Sequence, residues 1–258
     1  MSDGIVNAIL KANDLSVDDL VVEVGPGLGV MTRQLVPLVR RVIAVEMDRE
    51  LASAMETEFK GTYGLEVVCA DARELDVAKL VAGAKYKLVA NLPYYAALPI
   101  LRRFLESDCP PVSAVVMVQR EVARNMVAGP GDMSLVSVGV QLYGRPRIVR
   151  YVPPTAFYPR PRVTSAVVKI DVYPGSALEL DDKVAFFRVV RAGFSAPRKQ
   201  IRNSLAQGLQ IQGETAASLL VAAGIDPTSR AETLGLEQWG ALYREVAGSD
   251  VSAYIDTH

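Results

Sequence analysis

The apolar run Leu20-Val21-Val22-Glu23-Val24 passes straight into Gly25-Pro26-Gly27-Leu28-Gly29, and this junction restricts the fold more than any other stretch of the chain. The run has the character of a buried strand, and residues 30–39 read as a helix. A strand, a glycine turn and a helix N-terminus together make a nucleotide-type corner. The glycines let a ligand approach the backbone, and the first amides of the helix lack intrahelical partners. Arg41-Val42-Ile43-Ala44-Val45-Glu46 is a second strand whose terminal carboxylate lies about twenty residues beyond the first glycine, the spacing at which an acid grips a ribose diol.

The alternation continues. Residues 5–11 read as a short helix, 51–59 as another, and 65–70 as a third strand ending at Asp71-Ala72. Asp71 can accept a hydrogen bond from an adenine amine or cap a helix starting near Glu74, and both roles stay open. A fourth strand, 87–90, meets Asn91-Leu92-Pro93-Tyr94, where the proline cannot donate to a ladder and ends it. Ligands of open α/β sheets bind beyond the carboxyl ends of the strands. This corner therefore suits a planar, amine-bearing base, with oxygens for the amine and Tyr94 for stacking; the alternative is a proline turn with a core tyrosine. Helix 98–106, strand 112–118 and a last strand, 165–170, complete a mostly parallel sheet covered by helices on both faces.

With 258 residues, half of them hydrophobic, the chain is long enough for one large domain and one smaller one. Tyr173-Pro174-Gly175-Ser176 reads as the linker, giving domains 1–174 and 175–258. Beyond it, 183–194, 197–207, 214–223 and 236–246 have helical spacing, which predicts a small all-helical domain. No apolar run approaches the roughly 18 residues that span a bilayer, and Met1-Ser2-Asp3-Gly4 lacks the basic start of a signal peptide, so a cytoplasmic protein is expected. The single histidine, His258, leaves no histidine triad or histidine metal cluster. Cys69 and Cys109 lack metal-type spacing, and Cys69, in an apolar strand, is read as a small buried hydrophobe. The net charge of −1 is unevenly spread: residues 145–203 hold twelve Lys/Arg against four Asp/Glu. A basic stripe on an otherwise acidic chain points to a polyanionic partner, in particular nucleic acid.

A nicotinamide enzyme would share the glycine turn and Glu46 but has no particular need of Asn91-Leu92-Pro93-Tyr94. The chain resembles the ribosomal RNA adenine dimethyltransferases (KsgA/Dim1 type) among the class I S-adenosylmethionine methyltransferases, which have a Rossmann-like sheet. The resemblance rests on Glu23-Val24-Gly25-Pro26-Gly27-Leu28-Gly29, Val45-Glu46-Met47-Asp48, Asp71-Ala72, Asn91-Leu92-Pro93-Tyr94 and Gln119-Arg120-Glu121-Val122. It continues through Val127-Ala128-Gly129-Pro130-Gly131, Pro153-Pro154-Thr155-Ala156-Phe157-Tyr158-Pro159-Arg160-Pro161-Arg162-Val163 and Arg198-Lys199-Gln200-Ile201-Arg202-Asn203-Ser204-Leu205. Together these motifs cover nearly the whole chain in the family's order.

The resemblance implies a cofactor-binding catalytic domain, an RNA-recognition domain, and S-adenosylmethionine as methyl donor, leaving S-adenosylhomocysteine, with no metal. Gly25, Pro26, Gly27 and Gly29 would line the methionine part of the cofactor. Glu46 with Met47 would hold the ribose, Asp71 with Ala72 would read the adenine, and Asn91 would join cofactor to substrate. Asn91, Leu92, Pro93, Tyr94 and Phe157 would form the catalytic corner, with Tyr94 and Phe157 sandwiching a flipped-out base. For Phe157 a hydrophobic plug between domains is the other reading; the exposed proline loop favours stacking. Arg160, Arg162, Arg198, Lys199 and Arg202 would contact RNA phosphates. The implied activity is dimethylation of two adjacent adenosines near the 3′ end of small-subunit (16S) ribosomal RNA. Such an enzyme is expected to act in ribosome biogenesis, as a monomer, on that RNA or the pre-ribosomal small subunit, without a membrane. The alternatives are a large-subunit RNA methyltransferase conferring antibiotic resistance and a non-catalytic assembly or transcription factor on the same fold.

The sequence departs from the family pattern in two places. The family's opening segment, with Gln-Asn/His-Phe-Leu, would end about where Met1 stands, which leads to an expectation of weaker cofactor binding than in an extended form. Asp132-Met133-Ser134 stands where the family commonly has Tyr-Gly, and no role is assigned there.

Overall fold

The computed structural model describes residues 3–92, 95–157 and 160–256. Helix α1 (Asp3–Ala12) leads to strand β1 (Leu20–Val24), then α2 (Thr32–Leu35), β2 (Arg41–Glu46), α3 (Arg49–Glu58) and β3 (Leu65–Cys69). Next come α4 (Val77–Val81), β4 (Lys87–Asn91), α5 (Ala97–Leu105), β5 (Ser113–Gln119), α6 (Arg120–Val127) and α7 (Leu135–Gln141). Strands β6 (Gly144–Val152) and β7 (Ser165–Val172) precede α8 (Lys183–Gly193), α9 (Ile201–Leu209), α10 (Gly213–Ala222), α11 (Leu236–Ala247) and α12 (Ala253–Asp256). The chain divides into two compact units, residues 1–124 with 143–175 and residues 125–142 with 176–258. The segment 125–142, which the sequence reading places with the first domain, thus belongs to the second unit.

The first unit is an α/β, Rossmann-like sheet in the order β3-β2-β1-β4-β5-β7-β6. The five strands β3, β2, β1, β4 and β5 run parallel, while β7 is antiparallel to both β5 and β6. All of β1 and most of β2, β4 and β5 are buried, as expected of strands covered on both faces. On one face Ile5, Val6 and Ile9 of α1 pack with Val21, Val89, Val115 and Val167 into a single apolar cluster. Chain order runs outward from β1 to β3 and then returns to β4 on the other side of β1. The switch point, where open sheets of this kind bind ligands, lies between β1 and β4. Register aligns the strand ends there: Val24 is opposite both Val45 and Ala90, Asn91 opposite Met117, and Gln119 opposite Ser165.

Several local expectations are corrected. The helix expected over 30–39 is the short α2 followed by a 3₁₀ turn at Val36–Leu38, because Pro37 has no amide to continue an α-helical ladder. Cys69 is exposed rather than buried, because β3 is the outermost strand and is only partly covered. No helix starts near Glu74: residues 72–74 form a turn, and the next helix begins at Val77 with the Asp76 carboxylate accepting from the Lys79 amide. The sequence does not reveal strand β6, since Pro146 and the arginines around it obscure the alternation. It is the opposite edge of the sheet, where proline is tolerated.

The second unit is helical. Trp239 is fully buried, and Gly193 of α8 lies so close that a Cβ there would stand 2.4 Å from its ring. The segment 125–142 is tied down by Gln141 Nε2, which donates to the carbonyls of Met126 (2.9 Å) and Ala128 (2.8 Å). Ser134 and Ser137 form a reciprocal cap on α7, and the amides of Gly131 and Met133 both donate to the Glu232 carbonyl. Helix α9 begins at Ile201, not at Pro197. The Ile201 and Arg202 amides donate to the carbonyls of Ser229 and Pro227, which satisfies the first turn from outside the helix.

Candidate active site at the carboxyl edge of the sheet

Gly25, at φ +73°, occupies the left-handed region, and a Cβ on it would stand 2.7 Å from the Asn91 carbonyl oxygen. Its amide donates to the Val45 carbonyl at 3.0 Å. The turn after β1 is thereby held against the ends of both neighbouring strands. Gly29, at φ +70°, serves a packing role: a Cβ would stand 2.6 Å from the Phe59 ring, over which Arg33 lies at 5.2 Å. Pro26 is buried, while Leu28 points outward and is exposed.

Glu46 ends β2 and is nearly buried. Its Oε2 accepts from the Gly27 amide at 3.1 Å and its Oε1 from the Asp48 amide at 3.1 Å. A carboxylate has about four acceptor positions, so two remain, which is what a vicinal diol needs. The same bond bears on the choice between cofactors. A dinucleotide's pyrophosphate would use free amides of a glycine turn and helix start, but here the Gly27 amide is held by a carboxylate whose charge would repel it. Asp48 then caps α3, its Oδ1 accepting from the amides of Glu50 and Leu51.

Gly25, Glu46, Met47, Asp71 and Ala72 line one cleft, partly open to solvent. Tyr95, which closes the aromatic stretch after Asn91 in the sequence, also lines it, together with Arg73, Ala96 and Ile100, none of which the sequence singles out. The cleft suits an adenosyl group: the diol acceptor stands on one strand end, a second carboxylate on the next, and apolar side chains lie between. Asp71 is engaged. It accepts from the Arg73 amide at 2.9 Å and from Arg73 Nε at 3.0 Å, and pairs with Nη2. The guanidinium holds the Asp71 carboxyl below the usual carboxylate range, chiefly through the side-chain hydrogen bond. The signal for this pair was an arginine two residues past the acid, close enough to fold back onto it.

Asn91, half-buried, ends β4 beside Gly25, and the Leu92 side chain is buried. Pro93 and Tyr94 lie outside the described residues. Phe157 is half-buried against the same apolar cluster as α1, so part of its ring does the work of a core residue. Its loop joins β6 to β7 at the end of the sheet where Asn91 stands, and Arg160 and Arg162 on that loop are exposed. Arg198, Lys199 and Arg202 are exposed on the second unit; the first two precede α9, and Arg202 is in its first turn. Among the described residues there is no cluster of three or more metal-ligating side chains, and no helix is long and apolar enough to cross a membrane.

Glu23, quoted within the glycine motif but given no role, is fully buried. Its Oε2 accepts from the Thr32 hydroxyl at 2.7 Å, while Oε1 has no partner among the described residues. Burial raises its pKa to about 7, with a smaller push from Glu46 and opposition from the Thr32 bond. A carboxyl whose folded pKa lies above its unfolded value binds more protons folded than unfolded. Its contribution to stability is present below pH 4.5 and is lost as pH rises toward 7. Glu23→Gln, which mimics the protonated form, is expected to flatten this loss. Urea unfolding should show its stability relative to the parent rising by on the order of 3 kcal/mol from pH 4.5 to pH 8. A stability difference that does not change with pH would contradict the assignment.

Comparison with known proteins agrees with this geometry. The family model described as "Ribosomal RNA adenine dimethylase" matches residues 1–247. A protein of Dehalococcoides mccartyi named "Ribosomal RNA small subunit methyltransferase A" is 47% identical over 250 residues, covering 96% of this chain and 86% of its own. A protein of the same name from Moorella thermoacetica is 42% identical over 251 residues, covering 93% and 87%. Among solved structures, a dimethyladenosine transferase from Plasmodium falciparum superposes with a TM-score of 0.81 at 24% identity, covering 95% of this chain and 96% of that one. The 23S rRNA methyltransferase ErmE gives 0.71 at 24% identity over 95% and 98%, a likeness of fold. The chain belongs to the ribosomal RNA adenine dimethylase family.

Proposed function

We propose that this chain transfers two methyl groups from S-adenosylmethionine to the exocyclic amine of adenosines, two adjacent ones, near the 3′ end of small-subunit ribosomal RNA during ribosome biogenesis. The observation that carries the reading is the contact of the glycine turn with the end of β4, which sets Asn91 beside the cleft lined by Gly25, Glu46 and Asp71. The choice of small-subunit RNA is supported by the name of the relatives that are 47% and 42% identical.

In this reading Glu46 accepts the ribose hydroxyls with its two spare acceptor positions, and Asp71 accepts the cofactor's adenine amine once Arg73 swings away. When bound, S-adenosylmethionine supplies a methyl carbon already activated by its sulfonium. The task left to the protein is the nucleophile. An adenine amine is poor because its lone pair is delocalised into the ring. The Asn91 side-chain oxygen and the Leu92 carbonyl, accepting both amine hydrogens, favour a pyramidal nitrogen with its lone pair exposed. No strong base is needed before transfer, because the methylated ammonium readily gives its proton to water. Positioning of this kind is worth about 7–11 kcal/mol of barrier in well-oriented systems. Tyr94 and the exposed part of Phe157 would clamp the flipped base, with stacking worth roughly 1–3 kcal/mol.

The reading is tested by incubating the protein with labelled cofactor and either immature small subunits or large-subunit RNA, then mapping modified nucleosides. Dimethyladenosine confined to the 3′ region of the small-subunit RNA is expected; modification of large-subunit RNA, or none, would contradict it. Asn91→Ala should lower the rate of transfer by about 10²-fold or more while RNA binding persists, and near-normal methylation would remove Asn91 from the chemistry. Arg73→Ala frees Asp71 and should tighten S-adenosylhomocysteine binding about 2- to 5-fold by calorimetry, the worth of an exposed ion pair. Weaker binding would mean that Arg73 itself contacts the cofactor.

A further inference from the structure

The motif Gln119-Arg120-Glu121-Val122 has no part in the chemistry above, yet its arginine is held in a defined pose. The Arg120 amide donates to the Thr164 carbonyl at 2.9 Å, which ties the start of α6 to the end of the loop that carries Arg160 and Arg162. Its guanidinium lies 5.4 Å over the ring of Tyr151, which is itself 46% exposed on β6. Among the described residues, no carboxylate lies within ion-pair distance of Arg120, Arg160 or Arg162.

Register places this pair. Gln119 is two residues beyond Met117, the partner of Asn91 on the adjacent strand, and so about 7 Å further toward the same edge. Tyr151 is opposite Ala166, one residue in from that edge. A guanidinium resting over an aromatic ring is held by the ring's face while its N–H donors stay available. It also loses less freedom when it captures an oxyanion than a free side chain would. Backbone flanking an adenosine held at Asn91 comes within reach of this rim, which lies on the same edge and begins on the adjacent strand.

Resting on the function proposed above, we propose that Arg120, braced by Tyr151, is a positioning residue that grips a phosphate of the RNA backbone flanking the target adenosine. Arg160 and Arg162 extend the same cationic rim. The pair thereby holds the approach of the strand rather than the base itself.

The test compares the parent with Arg120→Gln, Arg120→Lys and Tyr151→Phe, using RNA binding across a salt series, the KM for RNA and kcat in methylation, and S-adenosylhomocysteine affinity. Arg120→Gln should raise the KM for RNA about tenfold with kcat changed less. It should also reduce the slope of log affinity against log salt by about 0.7–1, the signature of one lost phosphate contact, and leave S-adenosylhomocysteine affinity unchanged. Arg120→Lys should keep the salt slope, and Tyr151→Phe should behave as the parent. An unchanged KM and slope in Arg120→Gln, or a parallel loss of S-adenosylhomocysteine affinity, would overturn the proposal. If the parent failed to methylate small-subunit RNA while the slope still changed in Arg120→Gln, the functional reading would fall and the phosphate contact would stand.

Discussion

The carboxyl edge of the sheet depends on one close approach, the bare α-carbon of Gly25 against the carbonyl oxygen of Asn91. Two constraints demand glycine there: the positive φ, which costs an L side chain energy, and the 2.7 Å that would separate a Cβ from that oxygen. Because β1 and β4 are neighbours across the topological switch, the turn that leaves β1 has to pass the end of β4. The missing side chain lets it do so without opening a gap between the strands. The cofactor half of the crevice and the corner that would receive the base are therefore joined through a backbone contact.

The crevice is defined as much by charge as by shape. Glu23 lies buried before the turn, Glu46 occupies the Gly27 amide, and Asp71 stands on the next strand end. A glycine turn whose amide is already taken by a carboxylate is poorly suited to phosphate and well suited to a diol and a cation. Burying Glu23 costs stability at neutral pH, only partly offset by Thr32. Arg120, Arg160 and Arg162 lie elsewhere on the same edge, at the start of α6 and on the loop between β6 and β7. Acidic and basic parts of one rim thus correspond to a sulfonium cofactor and a phosphate backbone in the proposed function.

The parallel strands were legible because each is a short, mainly apolar run, most of them closed by a glycine, an acid or a proline, and their ends fell within a residue or two of the structure. The spacing from Gly25 to Glu46 showed that an acid would stand beside the turn, but not that it would bind the Gly27 amide, since that bond depends on the tertiary path of the turn. Local competition hid other features. Pro37 shortened α2, and a carbonyl pair at Pro227 and Ser229, distant in sequence, set where α9 begins. Strand β6 carries Pro146 and a bulge between Ile148 and Arg150 that breaks the alternation a reader would count. Exposure of Cys69 follows from the position of β3 at the sheet's edge, which no single strand's sequence reveals.

The central claim, that four strand ends form a single ligand crevice, is tested most directly by hydrogen–deuterium exchange with and without S-adenosylhomocysteine. Backbone amides at 25–29, 46–48, 71–73 and 91–92 are expected to gain protection together, over the same range of ligand concentration. Protection at the first three segments with none at 91–92 would separate Asn91 from the cofactor site and contradict the account.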